Sequence, residues 1–213
     1  MKIALMNEFS QAEKNPVVLA ELQHVANNGG HTVFNVGMNG PEDHRLTYIH
    51  LGIMASLLLN ARAVDFVVSG CGTGQGSLMS LNAYPGVTCG YCIDPSDAYL
   101  FAQINNGNAL ALPFAKGFGW GAELNMRYIF EKAFGSDRGQ GYPPERKASQ
   151  VENAGILNDI KRWVAKDYLE ALKSIDSALV KTAVSGERFQ ECFFAYCQDE
   201  AIERFVREVI ANN

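Results

Sequence analysis

The sequence predicts an α/β protein: a five-stranded parallel sheet with helices on both faces, followed by a helical extension. Three observations predict it. Within the first 135 residues, short apolar runs alternate five times with longer segments of helical spacing, as the crossovers between parallel neighbours require. The short runs do not alternate apolar with polar, which is how strands buried on both faces read. Beyond residue 150 the apolar residues follow a helical period.

In order, "KIALM" (2–6) is the first strand and "NPVVLAELQHVANNGG" (15–30) the first helix, with Pro16 in its first turn and glycines closing it. "HTVFNVGM" (31–38) is the second strand, and "HRLTYIHLGIMASLLLNARA" (44–63) is too long to be anything but a helix. "FVVSG" (66–70) is the third strand, leading into the helix "GQGSLMSLNAY". "VTCGYCI" (87–93) is the fourth strand, and Pro95 opens the helix "PSDAYLFAQINNG" (95–107). "NALALP" (108–113) is the fifth, followed by "GWGAELNMRYIFEKAFG" (119–135), stopped by Gly135. "GSDRGQGYPPERKASQ" (135–150) then reads as a linker or extended loop. It divides a sheet domain, residues 1–147, from a helical extension, residues 151–213. In the extension, Ile156, Leu157, Ile160, Trp163, Val164 and Tyr168 share one helix face. A second amphipathic stretch, 187–213, carries Phe189, Phe193, Cys197, Ile202, Phe205, Val206 and Val209. Such helices must pack on the sheet domain or on a second subunit.

A hydrophobic content of 47% is enough for a good core, and a net charge of −5 argues against a nucleic-acid binder, which presents a basic face. No run of 18 apolar residues exists, and the four apolar residues after Lys2 are too few for a signal-peptide core. The expectation is a cytoplasmic protein with no membrane partner. Cys71, Cys89, Cys92, Cys192 and Cys197 are odd in number and lie mostly in apolar segments, so reduced thiols are expected rather than a disulfide framework.

The informative stretch is "DFVVSGCGTGQGSLMSLN" (65–82), where Cys71 sits among Gly70, Gly72, Gly74 and Gly76. A dinucleotide fingerprint would need a third glycine where Gln75 or Ser77 stands, and a P-loop would need a Lys-Ser/Thr pair that is missing. Two readings remain. The glycines make a tight strand-to-helix turn around a small buried thiol; or the loop is catalytic, since four alternate glycines cost more chain entropy than a turn requires. At the carboxyl end of a central strand, the amides of Gly72 to Gly76 would face a ligand from a helix N-terminus and favour an anion or a developing oxyanion. The same positive end favours a thiolate at Cys71, and Thr73 adds a hydroxyl donor. A thiolate beside such a cradle suits either transfer through a covalent adduct or proton abstraction next to a carbonyl.

"SGCGTGQGSLMSLNAYPGVTCG", with "MKIAL" and "TYIHLGIMAS" before it and "DPSDAYLFAQINNGNALALP" after it, resembles the type B ribose-5-phosphate isomerase and galactose-6-phosphate isomerase family over about residues 1–147. The C-terminal helices resemble an extension found in a subgroup. The resemblance implies a Rossmann-like three-layer sheet, a homodimer or dimer of dimers with sites near the subunit interface, and no metal or cofactor. It implies aldose–ketose isomerisation of a sugar or sugar phosphate through a cis-enediolate. By position, Cys71 is then the base that moves a proton between C1 and C2. Thr73 and the amides of Gly72, Gly74 and Gly76 hold the enediolate oxygen, and Asn105 binds sugar hydroxyls. Tyr48 and His50 border the pocket, and Arg146 reaches a substrate phosphate from the partner subunit.

The chain departs from that pattern at several places. Glu8 and Phe9 stand where the family has an Asp-His pair, and Ile104 replaces the ring-opening histidine. Tyr142 and Ala115, the latter beside Lys116, replace arginines. Enediolate machinery is retained while the shell that reads the substrate is rewritten, so a sugar other than ribose 5-phosphate is expected. Glu8, at the end of the first strand, is either on the ligand edge or a solvated loop carboxylate. His50, read as mid-helix, is either bonded to a carbonyl or a replacement acid/base. His24 and His31 read as surface residues, and His44 as lying in a helix first turn. "CGYC" (89–92) lies in an apolar strand and reads as core packing rather than a redox or zinc pair. Arg138, Arg146 and Lys147 form either a solvated basic loop or one that closes over an anion. Two rivals remain to the isomerase: a thiol-dependent hydrolase or transferase, and a non-catalytic sugar-phosphate-binding protein.

Overall fold

In the computed structural model, which describes residues 1–211, the apolar runs form one parallel sheet. Its strands are β1 (Lys2–Asn7), β2 (Thr32–Asn35), β3 (Phe66–Cys71), β4 (Cys89–Tyr91) and β5 (Ala109–Pro113), in the order β2-β1-β3-β5-β4. The helices are α1 (Asn15–Asn28), α2 (Tyr48–Asn60), α3 (Gln75–Asn82), α4 (Pro95–Leu100) and α5 (Ala122–Phe134). They are followed by α6 (Lys147–Val164), α7 (Tyr168–Lys173), α8 (Ser177–Val184), α9 (Glu187–Tyr196) and α10 (Glu200–Ala211). The last two residues of the expected final helix lie outside the described residues. No helix among the described residues is long and apolar enough to cross a membrane.

Alternate strand residues enter two separate cores, which is why the strands read as continuous apolar runs. Ala4, Met6, Val67, Ala109 and Ala111 face the core shared with α2. Ile3, Leu5, Phe66, Val68, Leu110 and Leu112 face the core shared with α1 and α5. The C-terminal extension enlarges the first core: Leu172, Val180, Phe189, Phe193, Ile202, Phe205 and Val206 are buried in it. Of the two places open to the extension, α7 to α10 therefore take the sheet domain. Helix α6 buries nothing fully and leaves Leu157, Trp163 and Val164 exposed.

Several boundaries differ from expectation, each through a cap. Among the described residues the extension holds five helices rather than two or three. Asp167 accepts from Glu170 N at 3.1 Å, and Asp199 from Ala201 N and Ile202 N at 3.0 Å, so each starts a new helix where the amphipathic pattern runs on. Tyr168 consequently leaves the face of α6 and bonds Ser56 Oγ at 2.9 Å. Helix α2 begins at Tyr48 instead of His44, because Thr47 is extended and its N–H donates to His50 Nδ1 at 2.9 Å, a capping box with histidine in the usual Glu/Gln place. His44 is thus in a loop. The segment expected as a linker is a packed strap: Gly139 N donates to Ala102 O at 2.9 Å and Gly141 N to Gln103 O at 3.0 Å. Arg138 lies inside it, donating to Ala133 O and Gly107 O with its guanidinium over Phe66, so it does not close over a ligand.

Candidate active site

The order β2-β1-β3 means that the chain leaves β1 toward one side of the sheet and returns by α2 to the other. The carboxyl ends of β1 and β3 therefore form the crevice where open α/β sheets bind ligands. Register places the candidate residues there. Asn7 pairs with Gly70 and Cys71 with Pro113, so Glu8, Cys71 and Phe114 emerge together at one edge.

The glycine loop is built from both sides. Ser69 and Ser77 share a hydrogen bond at 2.5 Å that pins the first turn of α3 to β3. Gly74 caps α3 at φ +75°, a left-handed conformation that a side chain resists. Gly70 has no room for a Cβ, which would stand 2.0 Å from the Phe114 ring. Gly76 is covered by Tyr48, whose ring would lie 2.9 Å from an added Cβ. Gly72 differs: a Cβ there would meet only Gln11 and Ser10 at 3.7 Å and Ala115 at 3.8 Å. An added methyl would therefore meet only ordinary van der Waals contacts there, next to Cys71 in the chain. Thr73 Oγ1 accepts from Gln75 N at 3.3 Å, and Tyr91 OH donates to Thr73 O at 3.0 Å. Lys116 Nζ stands behind, 3.4 Å from Tyr91 OH. With Gln75 N taken by Thr73, the Gly76 amide in the first turn of α3 has no carbonyl within the helix to bond, so it is available to an oxyanion.

Glu8 is 2% exposed, which removes the solvated-loop reading. Its carboxylate accepts from Ser10 N at 3.1 Å and from the Ser10 hydroxyl, capping the 3-10 turn Phe9–Lys14. Cys71 is 5% exposed at the end of β3.

His50 stands in the first turn of α2, and its Nδ1 is taken by the Thr47 N–H rather than bonded to a carbonyl. Two residues on from Tyr48, it lies on the other side of the helix from the one facing the glycine loop. Burial, with the nearby His44 charge, pushes its imidazole below the ordinary value, so it is a neutral acceptor near pH 7. That geometry gives it a cap's role, not that of the missing acid/base.

Asn105 ends a π turn (Phe101–Asn105) and lines a small cavity with Thr88, Gln150, Asn153 and Leu157. Thr88 precedes β4, so this is the opposite end of the sheet from Cys71. Arg146 is exposed at the start of α6, which packs on that π turn. Within one protomer, then, Asn105 and Arg146 are not brought to Cys71. A cavity of about 600 Å³, larger than the others described, also opens at that far end, among Met1, His31, Phe134 and Arg138. The carboxyl edge at Cys71 is the better candidate because the strand register brings the thiol residue, Glu8 and the glycine loop to one end of the sheet.

The "CGYC" thiols behave as core. Burial pushes Cys89 strongly upward, and Cys92 is pushed up to about 12 by burial and the charges of Asp97 and Asp94. No cluster of three metal-ligating side chains occurs among the described residues. Sequence reasoning missed Ser10, Gln11 and Tyr91. They reach the glycine loop from the ends of β1 and β4, and only the parallel register, not local spacing, brings them there.

Residues 3–136 match the family model described as ribose/galactose isomerase, and residues 164–209 match one described as ribose-5-phosphate isomerase. No curated protein matches the chain. Among solved structures, a ribose-5-phosphate isomerase from Vibrio parahaemolyticus is 65% identical, with a TM-score of 0.97 over 99% of both chains. A 4-deoxy-L-threo-5-hexosulose-uronate ketol-isomerase, solved with a tartrate, is 52% identical, with a TM-score of 0.96 over 99% of both. The type B ribose 5-phosphate isomerase of Trypanosoma cruzi is 15% identical, with a TM-score of 0.64 over 76% of this chain and 99% of that one, and shares the fold.

Proposed function

The chain belongs to the ribose/galactose isomerase family, and from that premise we propose that it is an aldose–ketose isomerase using Cys71 as its base on an open-chain sugar acid. The observation that carries this reading is the convergence of Cys71, the amides of the glycine loop and the buried Glu8–Ser10 pair at the crevice between β1 and β3. The Cys71 thiolate takes the proton from C2 of the aldose. The C–H electron pair becomes the C1=C2 bond of a cis-enediolate, and the charge moves onto O1. The amides of Gly72, Gly74 and Gly76 and the Thr73 hydroxyl hold that oxygen. The Cys71 thiol exchanges with solvent in part and gives a proton to C1 while the O2 proton passes to O1, with the Ser10 hydroxyl, bonded to Glu8, as the relay.

The departures favour an acid over a sugar phosphate. Ile104 transfers no proton, so a substrate that needs its ring opened is poorly served. A 4-deoxy-5-ulose lacks both hydroxyls with which an aldehyde closes a five- or six-membered ring, and a uronate carries a carboxylate in place of a phosphate. The 52% identical ketol-isomerase is named for such a compound. Ribose 5-phosphate is the second reading, favoured by the name of the 65% identical relative. Asn105 and Arg146, distant from Cys71 in one protomer, would complete the site from the partner of a homodimer.

The test is incubation in deuterated water with 4-deoxy-5-hexosulose-uronate, ribose 5-phosphate and galactose 6-phosphate, following C1 and C2 by NMR. Interconversion of the uronate with solvent deuterium in the product is expected. Turnover of ribose 5-phosphate alone would keep the isomerase and reject the acid. Silence toward all three, with Cys71 reduced, would favour the binding protein or the thiol-transfer enzyme.

A further inference from the structure

We propose that Arg45 is the residue that reads the acid group of the substrate, with Phe9 as its platform and Arg188 of the C-terminal extension as the positioning residue that holds its loop. This rests on the isomerase reading of the Cys71 site. Phe9 follows Glu8 at the carboxyl end of β1, beside the end of β3 that carries Cys71. Its ring is 40% exposed, unlike the core phenylalanines, and the Arg45 guanidinium lies 3.8 Å from the ring centroid. Phe9 N donates to Leu46 O at 2.8 Å, so the backbone next to Arg45 is tied to the platform itself.

Stacking fixes the plane of a guanidinium while leaving its N–H donors directed outward at the edge, which is the geometry that takes a carboxylate bidentately. Arg45 makes no ion pair among the described residues, whereas Arg127, Arg162, Arg188 and Arg207 each hold a carboxylate. The nearest carboxylate in sequence to the platform, Glu8, is already engaged by Ser10. A charged, pre-oriented, unpaired receptor therefore stands at the rim of the crevice. It also gives a physical reason for phenylalanine at position 9: a flat apolar face holds an arginine there.

The loop between β2 and α2 delivers Arg45, and the extension grips that loop from outside. Arg188 Nε donates to Asn35 O at 3.0 Å, and its Nη2 donates to Gly37 O at 2.8 Å and to Asp43 Oδ2 at 2.6 Å. Asp43 also accepts from Asn39 N at 2.6 Å, and Gly186 lies so close to His44 that an added Cβ would stand 2.7 Å from its ring. The segment two residues before Arg45 is thus fastened to α9, and Leu46 just after it is fastened to Phe9.

The experiment compares 4-deoxy-5-hexosulose-uronate with its uncharged methyl ester in wild type, Arg45→Gln, Arg45→Lys, Arg188→Ala and Arg188→Lys. Arg45→Gln is expected to raise KM for the acid roughly 10- to 100-fold, as loss of a charge-assisted bidentate contact does, and to leave KM for the ester within about twofold. Arg45→Lys falls between. Arg188→Ala is expected to raise KM for the acid severalfold, again not for the ester, with Arg188→Lys recovering part of it; a purely structural role would move both substrates alike. Equal effects on acid and ester, or none, with an active wild type, would overturn the assignment and leave the isomerase standing. A wild type that exchanges no C2 proton in any sugar would remove the isomerase reading and this inference together.

Discussion

Two cysteine–glycine segments of this chain look alike in sequence and differ in chemistry. "SGCGTGQG" and "CGYC" both place thiols beside glycine in or next to a parallel strand. Cys71 is the last residue of β3, where the backbone turns into α3 and donors with no partner in the helix point outward. Cys89 opens β4 and Cys92 directly follows it, each buried in a different one of the two cores, and their thiols spend their hydrogen bonds on the carbonyls of Gly90 and Asp94. Burial holds both thiols protonated. The difference teaches that what a thiol does here is decided by whether a core encloses it, not by the residues beside it in the chain.

The largest test of that contrast is Cys71→Ala against Cys92→Ala. Loss of a general base costs roughly a hundred- to ten-thousandfold in turnover. Cys71→Ala is expected to show such a loss in a steady-state assay, and Cys92→Ala a change in kcat within about twofold. A comparable loss in both would break the comparison.

A second pair sharpens it within the loop. Gly70→Ala drives a methyl into the Phe114 ring and is expected to lower stability by about 1–3 kcal/mol in a denaturant titration. Gly72→Ala meets only ordinary contacts, so stability should change by less than about 0.5 kcal/mol, while a methyl next to Cys71 is expected to raise KM. Equal destabilisation by both would mean that the space at Gly72 is not free.

The buried thiols predict a pH dependence. Their folded values are raised above the unfolded value of about 8.5, so the unfolded chain releases protons first as pH rises. Stability should therefore be complete below about pH 8 and fall steadily toward pH 12. Cys92→Ala should flatten the fall, as read from thermal midpoints. His50 gives the smallest effect, with the opposite sign. Its folded value is depressed, so its contribution is present above about pH 6.5 and lost as pH falls below it. His50→Phe removes the cap at a cost of about 1 kcal/mol and should weaken the acid dependence.

The sheet was legible because strands buried on both faces leave unbroken apolar runs, and Pro16, Pro95 and Gly135 mark helix ends by local geometry. The breaks in the extension were not, because amphipathic spacing continues through Asp167 and Asp199. The cap residues themselves, Asp167 with Glu170 three places on, were the signal available. At the site, Cys71 and its glycines could be found because their signal is local. Ser10, Gln11 and Tyr91 could not, since they meet the loop only through the register of β1, β3, β5 and β4. The placement of His50 failed for a related reason: the helix began four residues later than its periodicity implied, and that turned a mid-helix residue into a cap.

The central claim is that one thiol carries a proton between two carbons through an enediolate. The most direct test is to run the reaction on 4-deoxy-5-hexosulose-uronate in deuterated water and measure deuterium at C1 of the product, for wild type and for Cys71→Ala with binding confirmed by calorimetry. The account predicts solvent deuterium at C1 with the wild type, and neither exchange nor product above background with the variant. Undiminished exchange or turnover by Cys71→Ala would contradict it.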